Sequence, residues 1–145
     1  MPTRPVPHRI FEAHECHPKE DIDWTQLSGC LEEEYRLREV RNEMMRDLLQ
    51  KGTPVQFRSF GNSLKPDVYS GDCCIIDPIK DCGLLTVGNI VFCQVQPRKH
   101  YYSHKILEVV EWGGERCFWI GNNSNHYNGW CYACHIFGRM TEVIK

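Results

Sequence analysis

Residues 54–77 read PVQFRSFGNSLKPDVYSGDCCIID. Two short apolar runs, 55–60 and 73–77, flank a polar stretch rich in Gly, Pro, Asn and Ser. Apolar runs of that length, bounded by turn residues, read as strands joined by a loop. The same texture continues to the end of the chain. Further strands are expected at 90–96, 101–111, 116–120 and 136–144, with turns at Ser70-Gly71-Asp72, Gly88-Asn89, Gln96-Pro97 and Gly113-Gly114. The pattern predicts a mainly β, β-rich α+β fold: a coiled, mostly antiparallel domain over residues 54–145.

Upstream the texture differs. Residues 1–53 divide into a leader and an amphipathic helix. The leader, 1–22, holds Pro2, Pro5, Pro7 and Pro18 and shows no period. Residues 23–51 read as one helix, or two if Gly29 breaks it. Asp23 with Gln26 fits an N-cap pair, and Leu31, Leu37, Val40, Met44 and Leu48 form a stripe near 3.6-residue spacing. Gly52 and Pro54 are stop signals. The plain expectation is a helix packed on the β-domain, its charged face in solvent. A sharper one is a homodimer or partner contact through Met44, Met45, Leu48 and Leu49.

Composition narrows the function classes. The chain has 145 residues, 17 basic against 19 acidic, for a formal net charge of -2. That balance supplies no electrostatic footprint for duplex DNA, so nucleic acid is not an expected partner. No run approaches the roughly 18 apolar residues needed to span a bilayer, and no signal-peptide core is visible at the N-terminus. The nine cysteines are odd in number and lie inside apolar runs, which predicts reduced thiols and a cytoplasmic location. Most would then act as small buried hydrophobes.

Three constellations carry chemistry. The first is Gly61-Asn62-Ser63-Leu64-Lys65-Pro66, followed by Gly71-Asp72. A glycine ahead of a serine lets the backbone turn sharply and exposes Oγ, and the proline fixes the exit; the plain alternative is a turn serine capping a local amide. The second is Gly88-Asn89-Ile90-Val91-Phe92 with Tyr102-Ser103-His104-Lys105-Ile106. Side chains alternate along a strand, so only one of His104 and Lys105 can face Ser63. The third is Gly121-Asn122-Asn123 with Asn128-Gly129-Trp130 and Ile136-Phe137-Gly138-Arg139.

In this order the constellations resemble the LexA/signal-peptidase superfamily of serine peptidases, in its soluble phage and bacterial form. Ser63 falls on the nucleophile of a Gly-x-Ser-Met/Leu-x-Pro motif, with Leu64 where Met is common. His104-Lys105-Ile106 is similar to the histidine version of the base strand. Gly121-Asn122-Asn123 is similar to the Gly-Asp-Asn motif of signal peptidases. The resemblance implies a coiled β-domain of that type with a helical extension, a Ser63–His104 dyad, and support from Gly61, Asn62, Lys105, Asn122 and Asn123. It implies a peptide or protein bound as an extended strand, and peptide-bond hydrolysis without a cofactor. Asn122 stands where a carboxylate would orient His104, so the alternative is a retired domain acting as a binding or regulatory module. A transcriptional regulator is the third reading, weakened by the charge balance and the lack of a helix-turn-helix pair.

Two further signals compete. Cys131-Tyr132-Ala133-Cys134-His135 spells a haem-attachment motif, set aside for want of an export signal. Cys131 and Cys134 also have zinc-ligand spacing, and His14, Cys16 and His17 would complete a ligand set if the leader folds back.

Overall fold

The computed structural model describes residues 6–9, 27–59 and 61–144, and of residues 27–37 the backbone alone. The fold is mainly β, with one helix, α1 (Leu27–Gln50), against eight strands. The strands are β1 (His8–Arg9), β2 (Val55–Arg58), β3 (Cys73–Pro78), β4 (Ile90–Val95), β5 (His100–Trp112), β6 (Glu115–Gly121), β7 (Tyr127–Tyr132) and β8 (Ile136–Ile144). They form one sheet in the order β1-β2-β3-β8-β4-β5-β6-β7. Every pairing is antiparallel except β1 with β2, which is parallel. A bridge between Gln96 and Trp130 brings β7 round to the end of β4, so the second half of the sheet coils on itself.

β4 explains why two cores form. Successive side chains on a strand point to opposite faces. Phe92 faces a core with Met45, Leu49, Val55, Phe57, Leu64, Val68, Cys74, Ile76 and Phe137. Val91, Cys93 and Val95 face a second core with Leu85, Ile106, Phe118, Ile120, Cys131 and Ile136. A strand buried on both faces must be apolar without alternation, and residues 90–95 are so apart from Gln94.

The helix runs through Gly29 without a break. It ends in a Schellman motif: the Thr53 amide donates to the Leu48 carbonyl, the Gly52 amide to that of Leu49, and Gly52 takes φ +89°. Its buried face differs from the expected stripe. Met45 and Leu49 are buried, whereas Val40 is 56% and Met44 42% exposed. Met44-Met45 and Leu48-Leu49 are adjacent apolar pairs; packing buries the second of each fully, with Leu48 half-buried at the edge of the same core. The Asp23–Gln26 cap lies outside the described residues. So do His14, Cys16, His17 and most of the leader.

Two strands escape a reading of the sequence. β1 is only two residues, placed by the His8 amide donating to the Pro54 carbonyl. β7 contains Asn128-Gly129, a residue pair uncommon inside strands. Gly129 is there because a Cβ would overlap the Gln96 carbonyl oxygen and crowd Val95. Among the described residues no helix is long and apolar enough to cross a membrane.

The two helix faces predict different responses. Leu49→Ala is expected to lower unfolding free energy by about 2–5 kcal/mol through transfer and cavity terms. Val40→Ala should stay within about 0.5 kcal/mol. Urea titrations of both variants check this; equal effects would mean that the buried face is misassigned.

Candidate functional site

The loop between β2 and β3 is built to hold Ser63 outward. Its base is closed by the Ser59 amide on the Asp72 carbonyl and the Gly71 amide on the Ser59 carbonyl. Gly61 sits at φ +103°, a conformation that L side chains rarely adopt, and there the backbone turns into Ser63. Beyond it one helical turn, closed by the Val68 amide on the Leu64 carbonyl, drives Leu64 and Val68 into the first core. Ser63 precedes that plug and stays partly exposed. Its amide donates no hydrogen bond among the described residues. Asn62 is exposed, and its carbonyl accepts from the Lys65 amide.

β5 supplies the partner. Ser63 Oγ lies 3.1 Å from His104 Nε2. On the far side of the ring, Nδ1 lies 2.6 Å from Asn128 Oδ1. An amide oxygen only accepts, so Nδ1 carries the proton and donates it. Nε2 is then the bare acceptor for the Ser63 hydroxyl. The Tyr102 ring packs against the imidazole at 5.0 Å between centroids. Burial lowers the pKa of His104 from its ordinary value of 6.5; the Asn128 hydrogen bond opposes this, and the nearby His126 adds to it. The ring is therefore neutral at pH 7.

The other expected residues separate by position. Lys105, next along β5, puts its ammonium 2.7 Å from Asp67 Oδ2, where it is ion-paired and engaged away from Ser63. Asn123 donates through its side chain to the Leu64 and Lys65 carbonyls and to Asp67, and through its amide to the Ser63 carbonyl. The expected role of Asn122 at the imidazole is corrected. Its Oδ1 accepts from the Ser124 and His126 amides and so holds the β6–β7 turn in shape. Asn128 takes the position at the ring instead. Four asparagines, 122, 123, 125 and 128, stand within seven residues, and neither spacing nor residue type separates them. Only the discovery of β7 does.

The dyad opens into a cleft of about 190 Å³ lined by Arg38, Arg41, Phe57, Arg58, Leu64 and Tyr102 among others. β6 pairs with β5 only from Lys105 onward, so residues 100–104 have β4 on one side and no strand among the described residues on the other.

The cysteines are the free thiols that the sequence predicts at all seven described positions. Cys131 is buried in the second core beside Cys93, and its hydrogen-bonding interaction with the Cys93 thiol, together with burial, raises that thiol's pKa. Cys134 is exposed, its Sγ 3.6 Å from His135 Nδ1. The two members of the expected zinc pair thus occupy different environments. Among the described residues no group of three or more His, Cys, Asp or Glu side chains could hold a metal ion. Comparison with family models, with curated proteins and with solved structures found no match.

Asn128 is expected to tune the ring. In an NMR titration, His104 of the wild type should titrate below 6.5. Asn128→Ala removes a bond that favours the charged form and should move that midpoint lower still. Because the folded pKa lies below the unfolded one, the contribution of this group to stability is full above the unfolded value and declines as the pH falls through the window between them. A midpoint at or above that of a free histidine would contradict the described surroundings.

Proposed function

We propose that this chain is a soluble serine peptidase of the LexA/signal-peptidase type, hydrolysing peptide bonds with a Ser63–His104 dyad. One observation carries the reading: the His104 ring, held on its far side by Asn128 Oδ1, places Nε2 3.1 Å from a partly exposed serine hydroxyl. Nucleophile and base within hydrogen-bond reach, with the base oriented by a third group, is the arrangement that activates a serine.

The chemistry follows from the geometry. An extended peptide lies beside residues 100–104 as an added strand, with its scissile carbonyl over Ser63. Oγ attacks the carbonyl carbon as His104 takes the hydroxyl proton. The Ser63 amide donates to the oxygen that becomes negative. His104 then returns the proton to the leaving amine, leaving an acyl-serine. Water, deprotonated by the same nitrogen, adds to the acyl carbon, and Ser63 leaves with that proton. Lys105 stays on Asp67 throughout.

Asn128 favours a second reading in one respect. A neutral amide holds the ring but gives no charge to stabilise the imidazolium, so turnover should be slow compared with a carboxylate triad. In its limit the domain is a retired peptidase whose groove holds a partner peptide.

A fluorophosphonate probe separates the two. The wild type is expected to be phosphonylated at Ser63, with Ser63→Ala inert and His104→Ala slower by about 10²–10⁴-fold. Its rate should climb with pH through a midpoint below 6.5 and then level off. Labelling and peptide cleavage that survive both substitutions would end the dyad reading. Peptide capture without labelling or cleavage would point to the binding module.

A further inference from the structure

Residues 122–128, the β6–β7 turn and the start of β7, touch both members of the Ser63–His104 pair. At one end Asn128 accepts from the His104 ring. At the other, Asn123 meets the Ser63 loop at four points. Its amide donates to the Ser63 carbonyl at 2.9 Å. Its side-chain nitrogen lies 2.8 Å from each of the Leu64 carbonyl, the Lys65 carbonyl and Asp67 Oδ2. Asn122, the residue before Asn123, closes the turn, its amide donating to the His126 carbonyl and its side-chain oxygen accepting from the Ser124 and His126 amides.

A second tie runs from the base strand. Lys105 adjoins His104 and pairs with the same Asp67 oxygen that Asn123 reaches. The loop bearing the hydroxyl is thus fastened to the strand bearing the imidazole and to the turn that orients it. Serine and histidine lie 41 residues apart in sequence. Without such ties their separation would depend on a loop plugged into the first core and a strand belonging to the second.

We propose that Asn123 is the positioning residue of the Ser63–His104 pair, setting the hydroxyl's distance from the imidazole through the Ser63 loop, with the Asp67–Lys105 pair as a second tie. This rests on the dyad reading. Asn123 touches neither reacting atom; it acts through the carbonyls it holds. Displacement of about 1 Å at a reacting group is enough to slow chemistry on the order of 10²-fold.

The test measures the rate of Ser63 phosphonylation against pH, with thermal unfolding, in the full chain. Asn123→Ala keeps the backbone bond to Ser63 and removes the three side-chain bonds. Its plateau rate should fall about 10–100-fold. The midpoint of the acid limb should stay in place, because the contacts that set the pKa of His104 are untouched. Lys105→Met should lower the plateau with little change in melting temperature, since a partly exposed ion pair adds little stability. Lys105→Arg should restore it. Should Asn123→Ala fail to fold, the Lys105 pair decides alone. Wild-type plateau rates in the folded variants, or a moved acid limb with an unchanged plateau, would overturn the proposal. An unreactive wild type would overturn the dyad as well, whereas a reactive wild type matched by equally reactive variants would overturn only the positioning role.

Discussion

Burial of β4 on both faces is the constraint from which the rest follows. Phe92 belongs to the core beneath α1, and Val91, Cys93 and Val95 belong to the coil of β5 to β7. The molecule therefore has two apolar interiors with one strand as their common wall. Ser63 is carried by a loop anchored in the first interior through Leu64 and Val68. His104 is carried by β5, whose Ile106 enters the second. The hydroxyl and the imidazole meet where the two interiors abut, and their alignment reflects how each packs against the shared wall.

The electrostatics of that meeting point are modest. Among the described residues no carboxylate contacts the imidazole. Partial burial keeps His104 neutral, and the oxygen of Asn128 selects which nitrogen holds the proton. A lysine in the same place would need its pKa lowered by about 3 units to serve as a base near neutrality. Lys105 instead pairs with Asp67. Adjacent residues on one strand thus make different contacts, one with the Ser63 hydroxyl and the other with Asp67.

Much of this architecture is legible in the sequence, for identifiable reasons. Strands β2 to β6 and β8 are bounded by glycine, proline and asparagine, and their expected limits fall within about two residues of the observed ones. The pairing of Ser63 with His104 was reached from motif order, since a separation of 41 residues says nothing by itself. Asn128 was not reached. Its strand contains Asn128-Gly129, whose turn-like chemistry hides a glycine required by close contact. Of the expected helix stripe, Leu48 packs at the edge of the first core, whereas Val40 and Met44 are exposed and Met45 and Leu49 are the buried members; adjacent apolar pairs fit the period equally well, and only the neighbours in β2, β3 and β8 choose between them.

Gly129 gives this arrangement a particular fragility. It lies against the end of β4 with no room for a side chain, and the next residue back is the one that grips the imidazole. A methyl group introduced there would push β7 away from the end of β4, and the Asn128 carboxamide would travel with it. The ring would lose the acceptor that sets its tautomer before the sheet lost its strands. Drift at this single backbone position would therefore undo the contact at the imidazole while leaving the rest of the fold in place.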